Sequence, residues 1–95
     1  MPREKSIFTR EYAIFLTTLR RLRTGAGVTQ TAVAKVMGRT QSVVSKCERS
    51  ERRLDQIETM FYCKGIGIDY ETFIQILMND LKGTRIGKKN TRAKS

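Results

Sequence analysis

The chain has no histidine and no tryptophan, one proline, two cysteines and only nine acidic residues among its 95. Each shortage excludes something. Without histidine, the commonest general base and metal ligand near neutral pH is missing. There is also no glycine-rich phosphate loop, no metal-ligand cluster and no pair of carboxylates set for acid–base work. An enzyme is therefore a poor reading, and no cofactor or metal is expected. Cys47 and Cys63 lack zinc-type spacing and are too few for a disulfide framework. They read as small buried apolar residues of a reducing, cytoplasmic compartment. No apolar run is long enough to span a bilayer, and Met1-Pro2-Arg3-Glu4-Lys5 leads into no extended apolar stretch of the signal-peptide kind. A chain of this length suits one small domain.

Positive charge, by contrast, is abundant. Nineteen Lys and Arg against nine Asp and Glu give a net charge of +10. The excess is uneven: residues 1–47 hold nine bases and two acids (+7), residues 48–81 four and seven (−3), and residues 82–95 six and none (+6). Two basic regions flanking a mildly acidic middle point to a polyanionic partner, with nucleic acid the leading candidate.

Hydrophobic spacing shows helices and no β-alternation. Phe8, Tyr12, Phe15, Leu19 and Leu22 fall four, three, four and three apart, one stripe of an amphipathic helix that Thr9 would cap and Gly25 to Gly27 would stop. Thr29 would cap a short second helix carrying Val33, Ala34 and Met37, ended by Gly38. Thr40 would cap a third through Arg49, with Val44 and Cys47 inward. Asp55 and Glu58 form a capping pair for a fourth, whose inward face is expected to be Ile57, Met60, Phe61 and the stem of Lys64. Asp69 would cap a fifth, apolar at Phe73, Ile74, Ile76, Leu77 and Leu81. The class is all-α: an N-terminal arm (1–8), a domain (9–82) and a basic tail (83–95).

Two short helices joined by a tight turn at Gly38 carry the functional signal. Ala34 is small where helices cross, Gly38 turns the chain, and Val33, Met37, Val44 and Cys47 lock the pair at a large angle. The stretches Leu22-Arg23-Thr24, Gly27-Val28-Thr29-Gln30, Val33-Ala34, Met37-Gly38, Thr40-Gln41-Ser42 and Ser45-Lys46-Cys47-Glu48-Arg49-Ser50 resemble the XRE family of lambda Cro and repressor type. So do Arg52-Arg53-Leu54-Asp55-Gln56-Ile57-Glu58 and Gly65-Ile66-Gly67-Ile68-Asp69, and the resemblance covers residues 16 to 77.

That resemblance implies a five-helix helix-turn-helix domain binding double-stranded DNA as a small transcriptional regulator, a repressor by expectation. Helix 41–49 would lie in the major groove, with Gln41, Ser42, Ser45 and Lys46 reading bases and Val43 touching a thymine methyl or packing. Thr29, Gln30, Thr40, Arg49, Arg52 and Arg53 would hold phosphates, with Gln30 also able to brace Gln41. Glu48 would pair structurally with Arg23. A homodimer through helix 70–81 on a two-fold operator is the expected assembly. The alternative is an antitoxin, or a controller of a restriction–modification operon, that grips a toxin or other protein as well as DNA. Three residues depart from the family pattern: Arg39 stands where an apolar residue is usual, Ser50 where glycine is frequent after the recognition helix, and Ala32 where an acid is common.

Overall fold

The computed structural model describes residues 2–86, with side chains from residue 10 to residue 83. Five helices follow in order: α1 (Pro2–Gly25), α2 (Gln30–Met37), α3 (Gln41–Glu48), α4 (Gln56–Gly65) and α5 (Tyr70–Ile86). No strand occurs among the described residues. Helix α2 packs on both α3 and α4, and α5 lies against α1 and α4.

Side chains satisfy the exposed amides at three helix starts. The Thr29 hydroxyl accepts from the Ala32 N–H (3.1 Å) and the Thr40 hydroxyl from the Val43 N–H (3.2 Å). Asp55 accepts from the Glu58 N–H at 2.8 Å while Glu58 accepts from the Asp55 N–H at 3.1 Å, so the fourth helix has a full capping box. With Ala32 in place of an acid, α2 has only the one-sided cap.

The first four helices stop alike, on a residue with positive φ whose N–H and the next one turn back to helix carbonyls. That residue is Gly27, Gly38 and Gly67 after α1, α2 and α4, but Ser50 (φ 66°) after α3. Ser50 N–H donates to Cys47 O at 3.1 Å and Glu51 N–H to Lys46 O at 2.8 Å. A side chain in this region costs roughly 1–2 kcal/mol, while glycine gives back about 0.4–1 kcal/mol through its freer unfolded chain. Ser50→Gly should therefore stabilise the fold by up to about 1 kcal/mol, read as a rise in the urea midpoint at unchanged slope. A lower midpoint would show that the serine side chain contributes something its backbone position does not.

Three boundaries and faces differ from expectation. Helix α1 begins at Pro2, so Thr9 lies inside it instead of capping it, and residues 2–8 are helical, not an arm ahead of the helix. Proline is well suited to a first helical position, where its fixed φ helps and its missing N–H is not needed. Helix α5 runs on through Ile86, so residues 83–86 form its last turn; the rest of the expected tail lies outside the described residues. Loss of the hydrophobic period does not by itself stop a helix, and Gly83 keeps a helical backbone there.

The third difference concerns α4. Its buried residues are Thr59, Tyr62 and Cys63, followed by Ile66, while Ile57, Met60 and Phe61 are 58%, 41% and 42% exposed. Both sets have the spacing i, i+3, i+4, and periodicity alone does not choose between them. Burial of Tyr62 is possible because its hydroxyl finds a partner inside, and the Thr59 hydroxyl donates to Asp55 O at 2.8 Å. Gly65 brings α4 close to α2: a Cβ there would meet Val33 Cα at 3.3 Å.

The core joins Leu16 and Leu19 of α1, Val33 and Ala34 of α2, Val44 and Cys47 of α3, and Phe73 of α5 to Tyr62 and Cys63 of α4, with Leu54 and Ile66 from the flanking turns. Phe15 meets Phe73 edge-on with ring centroids 5.8 Å apart. Asp80 ties α5 to α1 by accepting from the Thr18 hydroxyl and, at 3.1 Å, from Arg21.

Candidate nucleic-acid interface

Helix α3 has one buried face and one open one. Val44 and Cys47 are fully buried, and Val43 packs half-buried against the same core. Gln41, Ser42, Lys46 and Arg49 are exposed and Ser45 is half-buried along the other side. The open face therefore offers an amide, two hydroxyls and an ammonium over two helical turns, groups able to bond base edges in a major groove.

Behind this face lies a buried carboxylate. Glu48, 6% exposed, receives Arg23 Nε on Oε2 at 2.7 Å and Arg23 Nη2 on Oε1 at 3.0 Å. The Tyr62 hydroxyl donates to Oε2, and Gln30 Nε2 donates to Oε1 at 2.9 Å. Arg23 also donates to Val28 O at 2.9 Å, fixing the turn between α1 and α2. Burial pushes the Glu48 carboxyl upward, yet hydrogen bonds from Arg23, Tyr62 and Gln30 outweigh it and hold the group below the ordinary carboxylate range. Hydrogen bonding to Glu48 raises the Arg23 guanidinium in turn. At the surface end of this cluster, Gln41 Nε2 donates to Gln30 Oε1 at 2.7 Å.

A family model described as a helix-turn-helix domain matches residues 14–60. A solved structure, an XRE-family like protein from Pseudomonas syringae pv. tomato str. DC3000, is 42% identical, with a TM-score of 0.74 over 83% of this chain and 96% of its own. The chain belongs to the XRE family. No curated protein sequence matches it. The XRE-family fold places it among DNA-binding helix-turn-helix regulators. No helix of the described residues is long and apolar enough to cross a membrane.

In the XRE-family domain the expected phosphate ligands differ in what already engages them. Thr29 and Thr40 are exposed and spend their oxygens as caps, but each hydroxyl keeps a proton to donate. Arg49 stays on the α3 face, held by Ser45 Oγ (2.6 Å) and by exposed Glu51 (3.0 Å), a pair weak enough for a phosphate to displace. Arg52 donates to Glu58 from both terminal nitrogens, Nη1 to Oε1 at 3.1 Å and Nη2 to Oε2 at 2.9 Å, and Nη1 also reaches Cys47 Sγ at 3.5 Å. Arg53 lies 4.0 Å above the ring of Tyr12 in α1. Arg39, exposed where the family favours an apolar residue, reaches Glu58 at 3.1 Å.

Sequence reasoning missed two of these anchors. Glu58 acts as counter-ion to Arg52 and Arg39 as well as a cap residue; its position in the capping box was the available signal. Tyr62 meets Glu48 across helices, and no local pattern announces that contact. Glu58 also predicts a pH response. Arg52 bonding, against the opposing effect of burial, holds its carboxyl at about 2 instead of 4.5. The folded value is depressed, so the contribution is present above about 4.5 and is lost as pH falls toward about 2. Thermal melts of the native chain should fall across that window, and Glu58→Gln should flatten the fall. Parallel curves for the two proteins would rule this group out.

Proposed function

We propose that the chain is a sequence-specific repressor that lays α3 in the major groove of double-stranded DNA. Gln41, Ser42, Ser45 and Lys46 meet bases, and Thr29, Gln30, Thr40 and Arg49 meet phosphates. The observation that carries this reading is the open polar row on α3, whose first member, Gln41, is braced by Gln30 at 2.7 Å. Arg53 and Arg52 are secondary ligands, since cation–π stacking and ion pairing already engage them. Two copies on a two-fold operator would set the reading helices about one helical turn, ~34 Å, apart. Met78, 52% exposed on α5, supplies apolar surface for such a pair.

The test is a titration of Gln41→Ala and Lys46→Ala on a site selected from random duplexes and on scrambled DNA. Both side chains are exposed, so circular dichroism and melting should be unchanged. Each substitution should cost about 1–3 kcal/mol on the selected site, with relaxed preference at one base pair. Unchanged affinity for both variants would remove α3 as the reading element.

A further inference from the structure

The hydrogen bonds behind Gln41 have a direction, and it is forced. An ionised carboxylate only accepts, so Gln30 must turn its amino group toward Glu48 Oε1, at 2.9 Å. Its carbonyl oxygen then faces the start of α3, where Gln41 can meet it only with its own amino group, at 2.7 Å. Turning over either amide would set oxygen against oxygen at hydrogen-bonding distance. Glu48 cannot shift to accommodate this, because Arg23 holds both its oxygens and Tyr62 donates to one of them from α4.

We infer that the chain Tyr62–Glu48–Gln30 fixes the polarity of the Gln41 amide and so sets which base it accepts, making Glu48 and Tyr62 positioning residues for base selection. Both are buried, at 6% and 0% exposure, so their effect on a base would run through Gln30 and Gln41. The inference rests on Gln41 reading a base. One amino hydrogen of Gln41 is spent on Gln30, leaving a carbonyl oxygen and one N–H in a fixed order. Adenine offers a complementary donor and acceptor in the major groove, whereas guanine offers two acceptors. A glutamine amide without this brace turns about a broad terminal torsion and swaps donor for acceptor, tolerating more edges.

Competition titrations of the full chain test this, using the selected duplex and its variants at the base pair whose preference Gln41→Ala removes. The native chain should favour adenine there by about 10-fold or more. Glu48→Gln presents an amide that can offer Gln30 either group, and should bring that preference within about threefold while binding of scrambled duplex keeps its salt slope. Gln30→Met cuts the chain without touching the Arg23–Glu48 pair; it should relax the same preference whatever its overall affinity, and it decides the matter if Glu48→Gln does not fold. Tyr62→Phe should cause a smaller relaxation in the same direction.

Full adenine preference in Gln30→Met, or in folded Glu48→Gln, overturns the polarity lock while leaving base reading by Gln41 standing. If Gln41→Ala changes no base preference at all, base reading itself falls, and the lock falls with it.

Discussion

Replacing Arg23 with alanine should cost about 3–5 kcal/mol, because it leaves the buried Glu48 carboxylate without its cation. For a domain of this size that is on the order of a 20 °C fall in melting temperature. The side chains of the pair are 11% and 4% exposed, so solvent screening does little to soften the loss. Glu48→Ala should be less damaging than Arg23→Ala, since Arg23 is the more exposed partner and can turn toward water. A double-mutant cycle should therefore be strongly non-additive; simple additivity would mean that the pair contributes nothing net.

The two single variants should also differ in pH response. In the native chain Glu48 lies below its ordinary value, so its contribution is present above the unfolded pKa and is lost as pH falls. In Arg23→Ala the guanidinium no longer opposes burial, so that carboxyl should move upward from its native position despite the hydrogen bonds from Tyr62 and Gln30. The deficit should then be largest at neutral pH and shrink on acidification, once Glu48 can bury a proton instead of a charge. A deficit independent of pH would show that Glu48 has found another cation.

Affinity for duplex DNA should fall by orders of magnitude between 50 and 200 mM salt, about 10³–10⁵ if six to ten phosphates are neutralised. The geometry divides this sensitivity. Arg52 is already neutralised by Glu58, so Arg52→Ala should alter stability more than the salt slope. Truncation after Ile86 spares α5 and removes Lys88, Lys89, Arg92 and Lys94. If all four meet phosphates, the slope should flatten by about 3.6, with affinity at 200 mM compared with 50 mM recovering by ~100-fold relative to the native chain. Base preference should survive, because phosphate contacts position the protein without reading sequence. Loss of preference on truncation, with Gln41→Ala harmless, would move the reading element off α3.

Much of this molecule is legible in its residues, for reasons that differ by element. Thr29, Thr40 and Asp55 mark helix starts because capping is local chemistry, decided within four residues. Gly38 and Gly67 mark stops for the same reason, and Ser50 fills the same backbone role without the same residue. The pairing of Arg23 with Glu48 spans 25 positions, and it came from family resemblance, not from any spacing rule. The orientation of α4 was not legible. Ile57, Met60 and Phe61 look like the better core set, and what buries Tyr62 instead is a carboxylate supplied by α3. Likewise the beginning of α1 was missed because Thr9 resembles a cap, while Pro2 lies seven residues earlier and starts the helix first.

The two buried thiols make the reading helix and its support separately observable in time. Cys47 lies under the open face of α3 and Cys63 lies in α4, and neither has exposed surface. Burial pushes the Cys63 thiol up to about 11, so little reactive thiolate exists there near neutral pH. Alkylation must then await an opening of the helix that carries each sulfur, and its rate measures how often that helix lifts away from the core. Bound duplex pressing on α3 would slow labelling of Cys47 first, and any matching delay at Cys63 would show how far the clamp on α3 stiffens the rest of the domain.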